Sequence, residues 1–333
     1  MNPVPVLNSL IAPEYLAELL KQTYPLSEPV DCQLIRVGDN DNYLVRAADK
    51  KYILRVYRHK KYWLNTQTDY DFEMRWLHYL HEKGCHVSYP IQRSDAQYIG
   101  SLEAPEGKRY YVLLSFAEGE EGPLNMQRAY VLGHAIANIH LASNDFISTS
   151  HRLSFDMKFL VDEPIHLIQQ HLGASWLLEK NKLRDLSIQL KEKIHDLNLG
   201  EEAWGIIGGD FHGYNQHFSP ENHVTLFDFD LCGYGWRAYD LAVFRWLQVS
   251  DTDVGSTYWQ AFLKGRLRLW SKFLSGYQAV RQLRQNELVA IPFFVQIRQI
   301  WLMGSYIASP HPTMVLDDAW WQQHFKRLFK TFQ

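Results

Sequence analysis

Cysteine is scarce: Cys32, Cys85 and Cys232 stand far apart and are odd in number. That fits neither a disulfide framework nor the paired thiols of a zinc site, and a reducing cytoplasm is the simplest setting. Excess positive charge is absent as well. The formal net charge is −3, without the basic balance of a nucleic-acid binder, so no nucleic-acid partner is expected. No window holds 18 apolar residues free of charge, so neither a membrane span nor a membrane partner is expected. The opening MNPVPVLNSLIAPEYLAELL has no basic start and no unbroken apolar core, hence no signal-peptide pattern. Internal repeats and low-complexity tracts are missing too.

The composition that remains, 46% apolar and 21% charged, belongs to a folded globular chain. Its 333 residues are long for one domain and suggest two lobes. Aromatics reach 14%, with 11 Trp, enough to fill a large core or to line pockets for flat or cationic ligands.

After a short helix over 13–22, the runs CQLIRV (32–37), NYLVRAA (42–48) and KYILRVYR (51–58) are β-branched or aromatic. GDND and ADK break them, as turns break a meander. TDYDFEMRWLHYLHEKG (68–84) has helical spacing and stops at Gly84, and the chain returns to strands over 90–119, ending in RYYVLLSF. Strands, one helix and strands predict an α+β lobe over residues 1–117, built on a small antiparallel sheet. A Gly/Glu/Pro linker follows at 118–126. From 127 to 333 the pattern is mainly helical, with helices expected over 128–143, 163–180 and 183–197. WGIIGG and HVTLFDF interrupt it and read as a hairpin.

The chemistry concentrates in GIIGGDFHGYNQHF (205–218) and TLFDFD (225–230). Asp210 follows an apolar run among Gly208, Gly209 and Gly213; Asn215 comes five residues later and Asp228 thirteen after that. If the two apolar runs pair, the three side chains converge. Two carboxylates and an amide oxygen are the base and the hard ligands that magnesium-dependent phosphoryl transfer needs. Upstream, VGDNDNYLV (37–45) is a turn around Gly38 able to expose backbone N–H groups. Arg55 sits among apolar neighbours, where a charge needs a partner, and Glu73 on the next helix can provide it. The basic run RHKK (58–61) reads as a solvated strand end, and Cys232 as a buried thiol.

GGDFHGYN resembles the HGDxHxxN catalytic loop of the aminoglycoside phosphotransferase and choline kinase family. TLFDFD is similar to that family's metal-binding segment, and GYGWRAYDLA to the glycine-rich stretch and helix start that follow it. YILRVYR, DFEMRWLHYL, VLLSFAEG and LGHAIANIH resemble its third strand, Glu-bearing helix, hinge and first large-lobe helix. The match runs in order through most of residues 32–245. It implies a bilobal protein-kinase-like fold and a kinase using ATP and Mg2+ to phosphorylate a small-molecule hydroxyl acceptor of aminoglycoside, amino-alcohol, sugar or homoserine type. It also implies roles. Asp210 would be the catalytic base; Asn215, Asp228 and Asp230 would hold the metal. Arg55, paired with Glu73, would reach the phosphates beside Gly38. Ser115, Phe116 and Ala117 would meet the adenine, and Asp240 would brace the catalytic loop.

One departure stands out: Gly208 occupies the motif's histidine position, so a scaffold imidazole is missing. Rival expectations are a protein Ser/Thr kinase of the same fold, a non-catalytic nucleotide-binding pseudokinase, and a zinc hydrolase using Asp210 with His212, His217 and His223. His212 fits better as a loop-packing residue. For the acceptor, the aromatic-rich segment 291–309 offers Trp301 and Tyr306 as pocket walls. Trp259, Trp270, Phe293, Phe294, Trp320 and Trp321 stand near them in sequence.

Overall fold

The computed structural model describes residues 4, 6–64, 66–212, 214–250, 258–309 and 314–329; Gly213 and the Trp259 side chain lie outside the described residues. The chain forms two compact units. The first comprises Met1–Glu118, Ser148–His151 and Thr225–Phe227; the second is Gly119–Ile147, Arg152–Val224 and Asp228–Gln333.

The first unit begins with α1 (Pro13–Thr23), followed by β1 (Val30–Arg36), β2 (Asn40–Ala47) and β3 (Lys50–Tyr57). Then come α2 (Gln67–Glu82), β4 (Gly100–Ala104) and β5 (Gly107–Ser115). The strands form one antiparallel sheet in the order β1-β2-β3-β5-β4. Strand period 2 divides its side chains. Tyr43, Val45, Leu54, Val56, Tyr111 and Leu113 form one apolar core with Leu16 and Leu20 of α1. Arg55 and Tyr57 point the other way and meet α2 through Glu73. Helix α2 starts at a capping box, Thr66 with Asp69, and ends before Gly84 at φ +79°, where a side chain would be strained. Lys61 is not solvated as expected. It is 2% exposed, and its ammonium lies over the Tyr57 and Trp63 rings, which accept a cation on their faces.

The second unit holds α3 (Met126–Ala142), β6 (Ser154–Phe155), α4 (Glu163–His171) and α5 (Leu177–Asp196). They are followed by β7 (Trp204–Ile207), β8 (Gln216–Phe218), β9 (Val224–Leu226) and β10 (Gly233–Trp236), β9 running into the first unit. The last helices are α6 (Arg237–Ser250), α7 (Tyr258–Gln278), α8 (Gln285–Ala308) and α9 (Asp318–Phe329). Two expectations fail here. The helix break falls at Leu172–Gly173, both in extended backbone, rather than near residue 181, so α4 is short and α5 long. The expected hairpin does not form either: β7 pairs antiparallel with β10, and β9 is no part of that sheet. Leu226 instead exchanges backbone hydrogen bonds with His86 and Ser88 of the first unit.

Helices α3 and α7 pack backbone against backbone. A Cβ on Gly133 would lie 2.0 Å from the Phe273 carbonyl, and one on Gly276 1.9 Å from that of Tyr130. Among the described residues α8 alone is long and apolar enough to cross a membrane, with mean hydropathy 1.3, but 67% of that stretch is buried inside the fold. It packs against α4 and α6 as a core helix.

Candidate active site

In the first unit the expected pair exists. The Arg55 guanidinium donates to Glu73 Oε1 at 2.9 Å, and the Tyr57 hydroxyl donates to Glu73 Oε2 at 3.1 Å. Arg55 is 4% exposed and Glu73 is fully buried. Two charges so placed hold one geometry, because separating them would leave each uncompensated away from water. The turn with Gly38 is fixed from below. Arg109, buried, donates to Asp41 Oδ2 at 2.7 Å and also to the carbonyls of Tyr57 and Ser9. Gly38 itself has no positive φ, and a Cβ there would meet nothing closer than 3.9 Å; its smallness is not sterically required. Ser115 ends β5 with its N–H donating to the Tyr89 carbonyl and its own carbonyl accepting from the Ser88 hydroxyl. Phe116 and Ala117 follow, with the Lys51 ammonium 5.4 Å from the Phe116 ring centre.

In the second unit the loop after β7 is held by one carboxylate. Asp240, completely buried at the start of α6, accepts the N–H of Gly208 on Oδ2 and that of Gly209 on Oδ1, both at 2.8 Å. Gly209 has φ +77°, and a Cβ there would sit 2.6 Å from the Leu231 carbonyl, so glycine is required. An imidazole also reaches this carboxylate: His140 on α3 donates Nε2–H to Asp240 Oδ2 at 2.9 Å. The space a side chain at 208 would enter belongs to the Phe211 ring, 2.4 Å from the Cβ position. Phe211 in turn packs edge-on against Phe229, tying the loop to the segment that carries Asp228.

Asp210 itself is 20% exposed at its side chain. Its Oδ1 accepts from the Arg298 guanidinium, and its Oδ2 lies 3.4 Å from His212 Nε2. Its carbonyl accepts from Asn215 Nδ2 at 3.1 Å, which commits the nitrogen side of that amide. Asn215 is 2% exposed. Asp228 is the first residue after the chain re-enters the second unit, at φ +66°. A non-glycine residue in that region is uncommon, and Asp tolerates it better than most; such backbone gathers at functional sites. Asp230, 7% exposed, has its carbonyl held by the Arg152 guanidinium. The structure thus joins Asp210 to Asn215 and Arg55 to Glu73. Among the described residues no group of three His, Cys, Asp or Glu could hold a metal ion, so the three histidines do not converge as a zinc site would need. The side-chain oxygens of Asn215 and Asp228 are of the hard kind that a divalent cation such as magnesium takes.

Of the expected acceptor residues, Trp301 is 3% exposed and packs against the Arg298 guanidinium, 4.7 Å from its ring centre, and against Phe159. Tyr306 is half-buried with its ring edge-on to Trp320. Trp301 is therefore a wall behind Arg298 rather than an open cage. The residues missed by sequence reasoning are Arg298 and His140. The signal for Arg298 was available: it is the single charge within IPFFVQIRQIWLMGSYIAS, and a charge on an apolar helix needs a partner. Nothing in the sequence paired His140 with Asp240, one hundred residues apart.

Comparison with known proteins bears on the family and the fold. A protein of Deinococcus radiodurans carrying no functional name is 34% identical over 306 residues, covering 90% of this chain and 83% of that protein. Homoserine kinase of Rhizobium meliloti is 26% identical over 297 residues, 82% of this chain and 81% of the kinase. The structure of amicoumacin kinase hAmiN in complex with AMP-PNP, Ca2+ and Ami superposes with a TM-score of 0.75 at 18% identity, covering 95% of this chain and 92% of that one, a likeness of fold. Residues 32–283 match the phosphotransferase enzyme family as a whole. With its antiparallel sheet, its mainly helical second unit and the loop latched by Asp240, the chain belongs to that family and has its protein-kinase-like fold.

Proposed function

We propose that this chain moves the terminal phosphoryl group of ATP to a hydroxyl of a small amino-bearing molecule of the amino-alcohol or homoserine type, in the cytoplasm. The observation that carries the reading is Asp210: a partly exposed carboxylate on a latched loop, with one oxygen held and the other turned toward a long His212 contact. Such a carboxylate can accept a hydroxyl proton. The acceptor O–H proton goes to Asp210 and the acceptor oxygen forms the new O–P bond. The terminal P–O bond of the donor breaks, its electron pair leaving on the nucleoside diphosphate. Asn215 Oδ1 and Asp228 would hold magnesium, with Asp230 beside them in sequence; the ion supplies charge neutralisation for the phosphates. Arg55, held by Glu73, would reach the nucleotide phosphates near Gly38, with Ser115, Phe116 and Ala117 flanking the base. Homoserine and amicoumacin, named for relatives in sequence and fold, are both consistent with an amino-bearing acceptor.

An active enzyme, rather than a non-catalytic nucleotide binder, is supported by the latch: His140 and Asp240 complete it without an imidazole at position 208. The test is a screen of homoserine, amino alcohols, aminoglycosides and sugars with Mg-ATP, following ADP release above the no-acceptor rate. Turnover on one of them should fall by about 10³-fold or more in Asp210→Asn, the scale of losing a general base together with its positioning. Acceptor-independent ADP release, or an undiminished Asp210→Asn variant, would count against the reading.

A further inference from the structure

We propose that Arg298 is a positioning residue of the phosphotransfer site, fixing Oδ1 of Asp210 so that Oδ2 faces the acceptor hydroxyl. The inference rests on the reading of Asp210 as proton acceptor. A carboxylate turns freely about its Cβ–Cγ bond unless something holds it, since that torsion is broad and two-fold. Here Arg298 holds it. Its side chain is 4% exposed, and its guanidinium donates to Asp210 Oδ1. The other terminal nitrogen lies 3.5 Å from the Gly209 carbonyl and 3.4 Å from the Tyr239 hydroxyl, marginal contacts beside the ion pair. The guanidinium plane is backed by indoles, 4.7 Å from the Trp301 ring centre and 5.9 Å from that of Trp246. Those rings exclude water, and a cation stacked on them keeps a defined orientation. The charge on Arg298 is balanced by Asp210, which sits 88 residues away in sequence but on the catalytic loop.

The second oxygen is placed differently. His212 Nδ1 accepts the Tyr214 N–H at 3.2 Å, so the neutral ring carries its proton on Nε2. That Nε2 lies 3.4 Å from Asp210 Oδ2, too long for a strong bond, and an acceptor hydroxyl can displace it. One carboxylate oxygen is thus anchored and the other is available for the proton. Arg298 contacts neither reactant in this arrangement; it acts through Asp210.

The experiment compares wild type, Arg298→Met and Arg298→Lys with the acceptor found in the screen. Met keeps the stem and the packing against Trp301 while removing the fork. With positioning lost, kcat should fall about 100-fold, the cost of a misplacement on the order of 1 Å. KM for nucleotide and acceptor should change by less than about threefold, since transition-state rather than ground-state interactions are removed. Lys, which keeps the charge but not the fork, should recover about tenfold of that loss. Methylguanidinium added to Arg298→Ala should raise kcat, a rescue that a merely structural role would not show. An Arg298→Met variant with unchanged kcat overturns the inference. So does one whose kcat, KM and unfolding midpoint all collapse together while added methylguanidinium leaves Arg298→Ala unchanged. Should the Met variant fail to fold, Arg298→Lys decides by the same kcat and KM criteria. A wild type that phosphorylates nothing in the screen brings down the reading of Asp210 itself, a different failure.

Discussion

Around Asp240 the fully buried setting of His140 suits a neutral imidazole. Arg281 reaches the Tyr277 oxygen at 3.5 Å, the Tyr277 O–H meets His140 Nδ1 at 2.8 Å, and Nε2–H goes to Asp240. With the Tyr277 O–H donated to Nδ1, that nitrogen is the acceptor of a neutral ring whose proton is on Nε2. Burial pushes the His140 pKa below its ordinary value near 6.5, with Asp240 opposing that shift and Arg237 and Arg281 adding to it. The unfolded chain, by contrast, takes up a proton at this histidine as pH falls through about 6.5. More protons bound in the unfolded state means stability that declines as the solution is acidified from that point. His81 and His324 are also held below their ordinary values by burial, so the wild-type slope is a sum. Urea midpoints measured from pH 7.5 to 5 should therefore fall in wild type and fall less steeply in His140→Asn. Identical slopes for the two proteins would mean that His140 charges in the folded state.

Elements in this chain are separated by how closely their backbones approach. Helices α3 and α7 meet at Gly133 and Gly276, each lying under a carbonyl of the other helix. An alanine at 276 gains about 1 kcal/mol of helix propensity, but forcing two packed backbones apart costs about 3 kcal/mol. The steric cost wins. Gly265 lies in the same helix with nothing within 4 Å of its Cβ position, so there only the propensity gain operates. Gly276→Ala should lower stability by about 2 kcal/mol and Gly265→Ala raise it by up to about 1 kcal/mol, read from chemical denaturation. A Gly276→Ala protein as stable as wild type would show that the helix pair can shift without loss. Close approach of this kind is invisible in the sequence, where the two glycines look alike. Amphipathic periodicity and β-branched runs, by contrast, gave the meander and helices α1, α2 and α3 close to their observed bounds. The break after α4 differs from the expected bounds although Gly173 offers a stop signal, because apolar spacing continues past it through Trp176, Leu177 and Leu178.

At the scale of the whole molecule, the order of motifs carried the family and fold, while the couplings between distant residues did not show. Asp210, Asn215 and Asp228 were legible as types at set spacings. The Arg55–Glu73 pair was legible because a charge among apolar neighbours needs a partner. The β7–β10 pairing was not, since two short apolar runs close in sequence look like a hairpin, whereas Thr225–Phe227 belong to the first unit. That excursion has a consequence. Asp228 lies where the chain returns to the second unit in left-handed backbone, so its placement depends on the folded state of the whole chain. A ligand that needs Asp228 binds the native state and not the unfolded chain, and must stabilise it by mass action. A non-hydrolysable ATP analogue at about 100 times its Kd should add about 2.7 kcal/mol, seen as a rise in Tm. Chelation of magnesium should remove most of that rise. Asp228→Asn should lose the magnesium-dependent part, because an amide offers one neutral oxygen where the metal prefers a carboxylate. Asp210→Asn should keep it if, as proposed, Asp210 takes the acceptor proton and not the metal. If Asp228→Asn shows the full magnesium-dependent rise, the metal is held by other residues; if Asp210→Asn loses it, Asp210 is itself a ligand.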